Sequence, residues 1–445
     1  MLQLADRTLI NDVSDDANRI QLPDTGLRSP TVAVMGLGYV GLPTSLALAE
    51  NGCKVIGIDI NEARLADVRA NRADVLPEDR ERLARALISS RLLLTSNWSS
   101  LRQADIVLIC VPTPVDRHLV PAIAALRSAC DAAVAAARRG QVLVLTSTAY
   151  VGATRELLAN PLRDQGFLPG DDIYVAFSPE RIDPGNRAYP QGAVPRLVGG
   201  VTRRCTAMAG ALLSRIAAVV HPMSSPEAAE LAKLHENTFR AVNVALANEM
   251  AEISSGFGLD VVEIIEGAST KPFGFMPFYP GPGVGGHCIP CDPHYLTWQL
   301  RAMDVQSPLI NVAMSQLATR PRRIVERAQE ELGRAFRATR GARVILAGVT
   351  YKPNVADIRQ SPALVILDLL VKAGADVAYY DPLVPKLTLP NATTLQGTTC
   401  PDGSQYDLVV VHTVHRQGDY DWVAKCPNVL DASYRLSGIG HRVLP

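Results

Sequence analysis

Gly36-Leu-Gly-Tyr-Val-Gly41 constrains this chain more than any other feature. It stands between the apolar run Thr31-Val-Ala-Val-Met35 and an Ala/Leu-rich stretch reaching about Asn51. In a GxGxxG turn the first glycine allows the tight bend, the second lets a pyrophosphate approach the backbone, and the third lets helix and strand pack. The glycine spacing alone is weak. Here it follows a strand, opens a helix and is answered by Asp59 after the next apolar run, Lys54-Val-Ile-Gly-Ile58. That order predicts a parallel βαβ unit whose helix start faces a phosphate. Asp59 can accept a hydrogen bond from a ribose hydroxyl and would repel a 2′-phosphate, so NAD is expected rather than NADP. Tyr39, Val40 and Arg64 complete the expected cofactor set, Arg64 being otherwise an exposed helical charge.

The alternation continues. Short apolar runs at 106–110, 142–145, 173–177 and 217–220 read as strands, and 122–137 is the clearest helix between them. From Ser225 the pattern changes. Residues 226–257 hold no glycine before Gly256, and Leu231, Leu234, Ala241, Val244, Ala245 and Ala251 recur at helical spacing. Ser224 and Ser225 before Pro226, with Glu227 in the first turn, form an N-terminal signal. A helix of this length, ~45 Å, can connect two domains and offer a face to a second subunit. A further helix is expected from Val261 towards Ser269. A second strand–helix–strand block follows Arg340, with strands at 343–346, 376–380, 407–412 and 429–430 and a helix at 361–373. The predicted fold class is α/β: two doubly wound Rossmann-like domains joined by a long central helix and a helical dimerisation region. Its expected divisions are 1–30 as a polar extension, 31–222, 223–322 and 323–445.

Five other segments carry chemistry. In Gly281-Pro-Gly-Val-Gly-Gly-His-Cys-Ile-Pro-Cys-Asp292, Cys288 directly follows a glycine run and precedes Asp292 by four residues. A substrate can reach a thiol there, and its thiolate is a strong nucleophile. A hydride-accepting cofactor combined with a thiol that can hold an acyl group suggests oxidation past the aldehyde, through a thioester, to an acid. Cys110-Val-Pro-Thr-Pro114 and Thr146-Ser-Thr148 end strands of the first domain, where open α/β sheets bind ligands. Thr113 and Thr148 are candidates there, or simply helix caps. Glu180, in Ser178-Pro-Glu-Arg-Ile-Asp-Pro-Gly185, is a candidate proton acceptor, or a loop carboxylate paired to Arg181. Lys233 and Asn237, four apart on the long helix, can stabilise an oxyanion together, or lie on a solvated face. Cys288 and Cys291 form a CxxC, which marks redox disulfides and half zinc sites. With no second CxxC, and with His287 and His294 at an unfamiliar spacing, no metal is expected.

Acidic and basic residues balance at 44 each, so no net field favours nucleic acid. No apolar run reaches the ~18 residues of a membrane span, and the charged first 30 residues lack a signal-peptide core. A cytoplasmic protein with no membrane partner is expected. Eight cysteines scattered over 445 residues do not form a disulfide framework.

In this order the motifs resemble the nucleotide-sugar 6-dehydrogenases, the UDP-glucose/GDP-mannose dehydrogenase family, from Val32 to about Asp421. The carrying segments are the glycine turn, Val111–Pro114, 178–185, 231–237, 285–292 and Tyr351-Lys-Pro-Asn-Val-Ala-Asp-Ile-Arg359. Thr270-Lys-Pro-Phe-Gly-Phe-Met-Pro-Phe-Tyr-Pro-Gly281 looks like the branch acting on UDP-N-acetylhexosamines, particularly UDP-N-acetylglucosamine 6-dehydrogenases. The resemblance implies that Cys288 is the nucleophile and that Lys233 and Asn237 face the oxyanion. It also implies that Asp292 works with an ordered water placed by Thr148, and that Glu180 assists thioester hydrolysis. Arg181, Lys271, Phe278, Tyr279, Gly285, Lys352 and Arg359 fall on the nucleotide-sugar side. An N-terminal NAD domain and a C-terminal UDP-sugar domain, two NAD per product, and a homodimer or larger built on the long helix are implied as well. UDP-glucose, UDP-N-acetylmannosamine or GDP-mannose are the rival substrates, and a non-catalytic binding protein is a rival of another class.

The departures are specific. Pro184 stands where some relatives carry a second glutamate, which would leave more of the hydrolytic work to Glu180. Thr146 replaces a residue that is charged in many relatives, and Ala149-Tyr-Val-Gly152 replaces a commoner proline-containing run. Cys291 replaces an aliphatic residue.

Overall fold

The computed structural model describes residues 29–73, 77–182, 189, 191–436 and 442–445. The expected extension (1–28 of it) and Pro184 lie outside the described residues.

The first sheet has eight strands: β1 (Thr31–Met35), β2 (Lys54–Ile58), β3 (Leu92–Thr95), β4 (Ile106–Ile109), β5 (Val142–Leu145), β6 (Tyr174–Phe177), β7 (Arg196–Gly200) and β8 (Val220–Met223). Their order is β3-β2-β1-β4-β5-β6-β7-β8. All neighbours are parallel except β6 and β7. Among the described residues six α-helices accompany it: α1 (Gly41–Glu50), α2 (Glu62–Arg69), α3 (Pro77–Ile88), α4 (Ala124–Ala135), α5 (Asn160–Asp164) and α6 (Arg203–Leu213). Two apolar clusters form, one containing Val32, Val34, Leu42 and Leu46, the other Ala33, Met35, Ile109 and Phe177. Alternate residues of one strand feed different clusters, which is why these strands read as continuous apolar runs.

Three helices follow: α7 (Pro226–Gly256), α8 (Val261–Ser269) and α9 (Asp292–Ala302). The Ser225 hydroxyl accepts from the Ala228 N–H and caps α7. α10 (Pro308–Arg334) then runs through Pro321, a residue that reads as a stop in sequence. The second sheet is parallel, in the order β10-β9-β13-β14-β15. Its strands are β9 (Arg343–Ala347), β10 (Asp376–Tyr380), β13 (Leu408–Val411), β14 (Val429–Asp431) and β15 (Arg442–Val443), with α11 (Pro362–Lys372) packed on it and a β11 (Lys386–Thr388)–β12 (Thr394–Gln396) hairpin beside it.

The chain divides into two compact units: residues up to His235 with His294–Met303, and Glu236–Pro293 with Asp304–Pro445. Both sheets are doubly wound, as expected. The last strand of the first sheet is Val220–Met223, not 217–220. Ala217 instead closes the turn after α6, its N–H donating to Leu213 O. The strand itself is Val-His-Pro-Met, where proline is tolerated because β8 is an edge.

Candidate functional site

In the first unit the glycine turn has the geometry its spacing predicts. Gly36 has φ +89°, and a Cβ on it would lie 2.6 Å from Cys110 O. A Cβ on Gly41 would lie 1.8 Å from Gly36 O, so helix and turn meet only through glycine. Gly38 is exposed, with nothing within 4 Å of where its Cβ would be. α1 has no side-chain cap and no acidic residue in its first turn, unlike α2, whose Asn61 accepts from Arg64 N. An uncapped helix start above an open glycine suits a phosphate. Asp59 receives the N–H groups of Leu37 and Asn61, both at 2.9 Å, and is only partly buried. Arg64 donates from Nε to Leu37 O at 2.9 Å, so it braces the turn as well as carrying charge. Tyr39 and Val40 are half-buried and Thr113 is buried.

Further along the same sheet, Ser147 donates to Ile109 O and Val111 O, which ties the end of β5 to the end of β4 and leaves Thr148 half-buried beside them. Glu180 is buried, and it meets Arg181 through the backbone and Arg196 through charge. Arg181 donates from Nη1 to Pro195 O. Oε1 of Glu180 accepts the N–H groups of Arg181 (2.8 Å) and Ile182 (3.0 Å). Arg196 of β7 brings Nη2 to 2.6 Å from Oε2, a close charge contact although no N–H of that nitrogen is aligned with it. Arg196 was not legible in sequence. In the antiparallel register Phe177 faces Gly199, and extending that pairing brings residue 196 opposite residue 180. Lys233 is 9% exposed and Asn237, at the head of the second unit, is 4% exposed, so the solvated-face reading of this pair is excluded. They lie four residues apart on α7, and both are buried.

In the second unit the glycine run ends in a turn. Cys288 O accepts the N–H groups of Cys291 (3.1 Å) and Asp292 (2.8 Å), and the Cys288 side chain is exposed. Asn237 donates a short hydrogen bond from Nδ2 to Asp292 Oδ2, and Asp292 is 1% exposed. An amide nitrogen carries two N–H groups, so one remains for another acceptor. Gly285 and Gly286 lie against Tyr351: a Cβ on Gly285 would be 2.6 Å from Tyr351 Cβ, and Gly286 donates to Arg359 O. Arg359 forks onto Asp357, with Nε 3.0 Å from Oδ1 and Nη2 2.7 Å from Oδ2. Lys352 is half-buried, and its carbonyl accepts from the Thr350 hydroxyl. Burial and the nearby Arg359 charge push the His287 imidazole below its ordinary value. The Phe278 ring meets Phe239 of α7 edge-on at 5.7 Å, Lys271 sits over Phe273, and Tyr279 is exposed. Asn248 accepts from Gly281 N at 2.9 Å and anchors the start of the glycine run, a role with no sequence signal. Cys291 is fully buried, its thiol near the Gln360 amide. Among the described residues no group of three or more His, Cys, Asp or Glu is placed to hold a metal ion.

Comparison with known proteins finds one family along most of the chain. Residues 30–217 match the NAD binding domain, 227–316 the central domain and 345–435 the UDP binding domain of the UDP-glucose/GDP-mannose dehydrogenase family. The chain is 32% identical over 388 residues to a UDP-N-acetyl-D-glucosamine 6-dehydrogenase of Pseudomonas aeruginosa, covering 87% of this chain and 90% of that one. It is 33% identical over 353 residues to a UDP-N-acetyl-D-mannosamine dehydrogenase of Methanocaldococcus jannaschii, covering 79% and 78%. Among solved structures, UDP-D-ManNAc dehydrogenase from Pyrococcus horikoshii superposes with a TM-score of 0.83 at 29% identity, over 93% of this chain and 98% of that one. A glycine cradle open to a dinucleotide, a cysteine presented by a glycine turn and three consecutive domain matches lead to one conclusion: the chain belongs to the UDP-glucose/GDP-mannose dehydrogenase family, as an NAD-dependent nucleotide-sugar dehydrogenase.

Proposed function

We propose that this enzyme oxidises the 6-hydroxymethyl group of a UDP-N-acetylhexosamine, UDP-N-acetylglucosamine foremost, to the uronate. The observation that carries the chemistry is Cys288, exposed, with its own carbonyl held by the turn that begins α9. NAD, when bound, accepts the hydride, and two NAD are consumed per product. Cys288 adds to the C6 aldehyde to give a thiohemiacetal; the second oxidation gives a thioester, and water releases the acid. Lys233 and the second N–H of Asn237 stabilise the oxyanion at each tetrahedral stage. Asp292, oriented by Asn237, moves the proton with a water placed by Thr148. Glu180 assists hydrolysis as a fixed anion. Gly36, Gly38, Tyr39, Val40, Gly41, Asp59, Arg64 and Thr113 hold the cofactor.

The 270–281 segment supports an N-acetylated sugar. Its aromatic and proline side chains make an apolar wall suited to an acetamido methyl, with Phe278 fixed on Phe239. Arg181, Lys271, Tyr279, Gly285, Lys352 and Arg359 complete the substrate side of the reading. The manno epimer is the second reading, because relatives acting on either epimer are about equally similar. A dimer or larger assembly fits α7: Phe239, Leu246 and Ile253 recur at seven-residue spacing and are all exposed in the single chain. No helix among the described residues is long and apolar enough to cross a membrane; a cytoplasmic enzyme supplying a surface polysaccharide or a sugar-containing metabolite is the setting proposed. NADH formation against a panel of UDP- and GDP-sugars tests the reading. A preference for UDP-glucose or GDP-mannose would overturn the sugar assignment, and inertness towards every nucleotide sugar would overturn the activity.

A further inference from the structure

Arg196 is 2% exposed, and its guanidinium lies in the interior of the first unit. A buried cation persists only where an anion or several acceptors meet it. Here the anion is Glu180, whose Oε2 is 2.6 Å away. The same carboxylate binds three parts of the unit together. Oε1 holds the N–H groups of Arg181 and Ile182, and Oε2 also receives the Thr44 hydroxyl at 3.5 Å, the outer limit of such a bond. Thr44 sits in the first turn of α1, the helix opened by the glycine cradle. Ser178 adds a second tie, donating to Leu197 O at 2.7 Å, so Ser178 and Glu180 both hold this segment to β7. The Cys110 thiol, at the end of β4, lies within electrostatic reach of both charges. Burial pushes it up to about 12, Glu180 raising it further and Arg196 opposing.

These groups cluster at the carboxyl ends of β4 and β6. In a doubly wound sheet the dinucleotide lies across those ends at the point where strand order reverses, here between β1 and β4. Asp59, after β2, serves one nucleotide half, and β4 to β6 serve the other. We infer that Arg196 is a positioning residue for the nicotinamide half of the cofactor site: it holds the Glu180 carboxylate, and with it residues 178–182, against the first turn of α1. Without Arg196 the buried carboxylate loses the cation 2.6 Å from it, and the loop loses the charge that fixes it. The adenosine half, built on Gly36 and Asp59, keeps its own hydrogen bonds. The inference rests on NAD binding and is independent of which sugar is oxidised.

The test measures NADH and ADP affinity by fluorescence and calorimetry on the full chain, beside thermal melting. Arg196→Met is expected to weaken NADH by ~10-fold while ADP changes by less than ~2-fold. Arg196→Lys should recover most of the loss. The double variant Glu180→Gln/Arg196→Met contains no unpaired buried charge, so it should melt near the parent yet still bind NADH weakly. It also carries the comparison should Arg196→Met fail to fold. Parent-like NADH affinity in either methionine variant overturns the inference. So does an equal loss of NADH and ADP, which would mean that Arg196 only stabilises the unit. Failure of the sugar assignment would show in the nucleotide-sugar panel and leave these affinities untouched.

Discussion

Asp59 and Asp381, in different sheets, make the same two hydrogen bonds. Each follows the second strand of its sheet in chain order and reaches back to the N–H after a positive-φ glycine: Asp59 to Leu37, behind Gly36 (φ +89°), and Asp381 to Val349, behind Gly348 (φ +83°). Each also accepts the N–H two residues ahead, of Asn61 and of Leu383. The difference is what else they meet. Asp59 is half-exposed. Asp381 is buried against His415, whose Nε2 lies 3.1 Å away and whose Nδ1 accepts from Asn354 N. One turn is left open for a ribose; in the other an imidazole occupies the carboxylate.

Asp59 therefore has two duties, and its removal has two consequences. Asp59→Ala should narrow the preference for NAD over NADP, because the 2′-phosphate is no longer repelled. It should also cost ~1 kcal/mol of stability through the part-buried Leu37 N–H left without its acceptor. Comparison of kcat/KM with both cofactors, beside a melting curve, checks both. Equal use of NAD and NADP by the parent enzyme would contradict the assignment of Asp59.

An acid-sensitive core is expected in the second sheet. Burial holds the His412 imidazole down to about 3, with Asp381 opposing and His415 adding to the shift. Between that value and the ordinary ~6.5 the unfolded chain takes up a proton that the folded chain does not. Stability is thus expected to fall as pH drops below ~6.5, by up to ~1.4 kcal/mol per pH unit from this group. Burial raises the Asp381 carboxyl, but the hydrogen bonds from His415 and from Val349 N–H outweigh it and hold the group below its ordinary value. Its contribution is present above ~3.9 and is lost as pH falls through the lower folded value. Denaturation of the parent and of His412→Asn at pH 4 to 7 should show a shallower slope in the variant. Parallel slopes would show that His412 does not govern the acid limb.

The exposed α7 stripe should be covered in solution. Light scattering at micromolar concentration is expected to show at least a dimer, and Leu246→Glu with Ile253→Glu should shift it towards monomer. A fully active monomeric parent would refute that use of the stripe.

The sugar loop should discriminate by at least ~10-fold in kcat/KM, about 1.4 kcal/mol, in favour of UDP-N-acetylglucosamine or its manno epimer over UDP-glucose. Phe278→Ala, which removes the ring from Phe239, should reduce that ratio. A ratio unchanged by this substitution would place discrimination elsewhere.

Sequence legibility followed chemistry that is local in the chain. The strand 31–35, its glycine turn and Asp59 are written within a short stretch of sequence, and the buried strands betray themselves as apolar runs. β7 is not legible in that way: Arg-Leu-Val-Gly-Gly carries a buried charge and two glycines whose Cβ positions are filled, by Ser225 O for Gly199 and by Thr206 N for Gly200. α10 contains Pro321 and β8 contains Pro222, residues that break helix and strand patterns. At the site, the four-residue spacings of Lys233 with Asn237 and of Cys288 with Asp292 could be read along the chain. The contacts of Glu180 with Arg196, and of Asn248 with Gly281, join distant positions and arise only from strand register and helix packing.

The central claim is the covalent role of Cys288, and mass spectrometry of the intact protein during turnover tests it most directly. With UDP-N-acetylglucosamine and NAD, the parent should carry a transient uronyl adduct on Cys288 and release uronate. Cys288→Ser should lose steady turnover, holding at most a slowly hydrolysed ester on the serine. Uronate production at near-parent rates by Cys288→Ser or Cys288→Ala would contradict the thioester account.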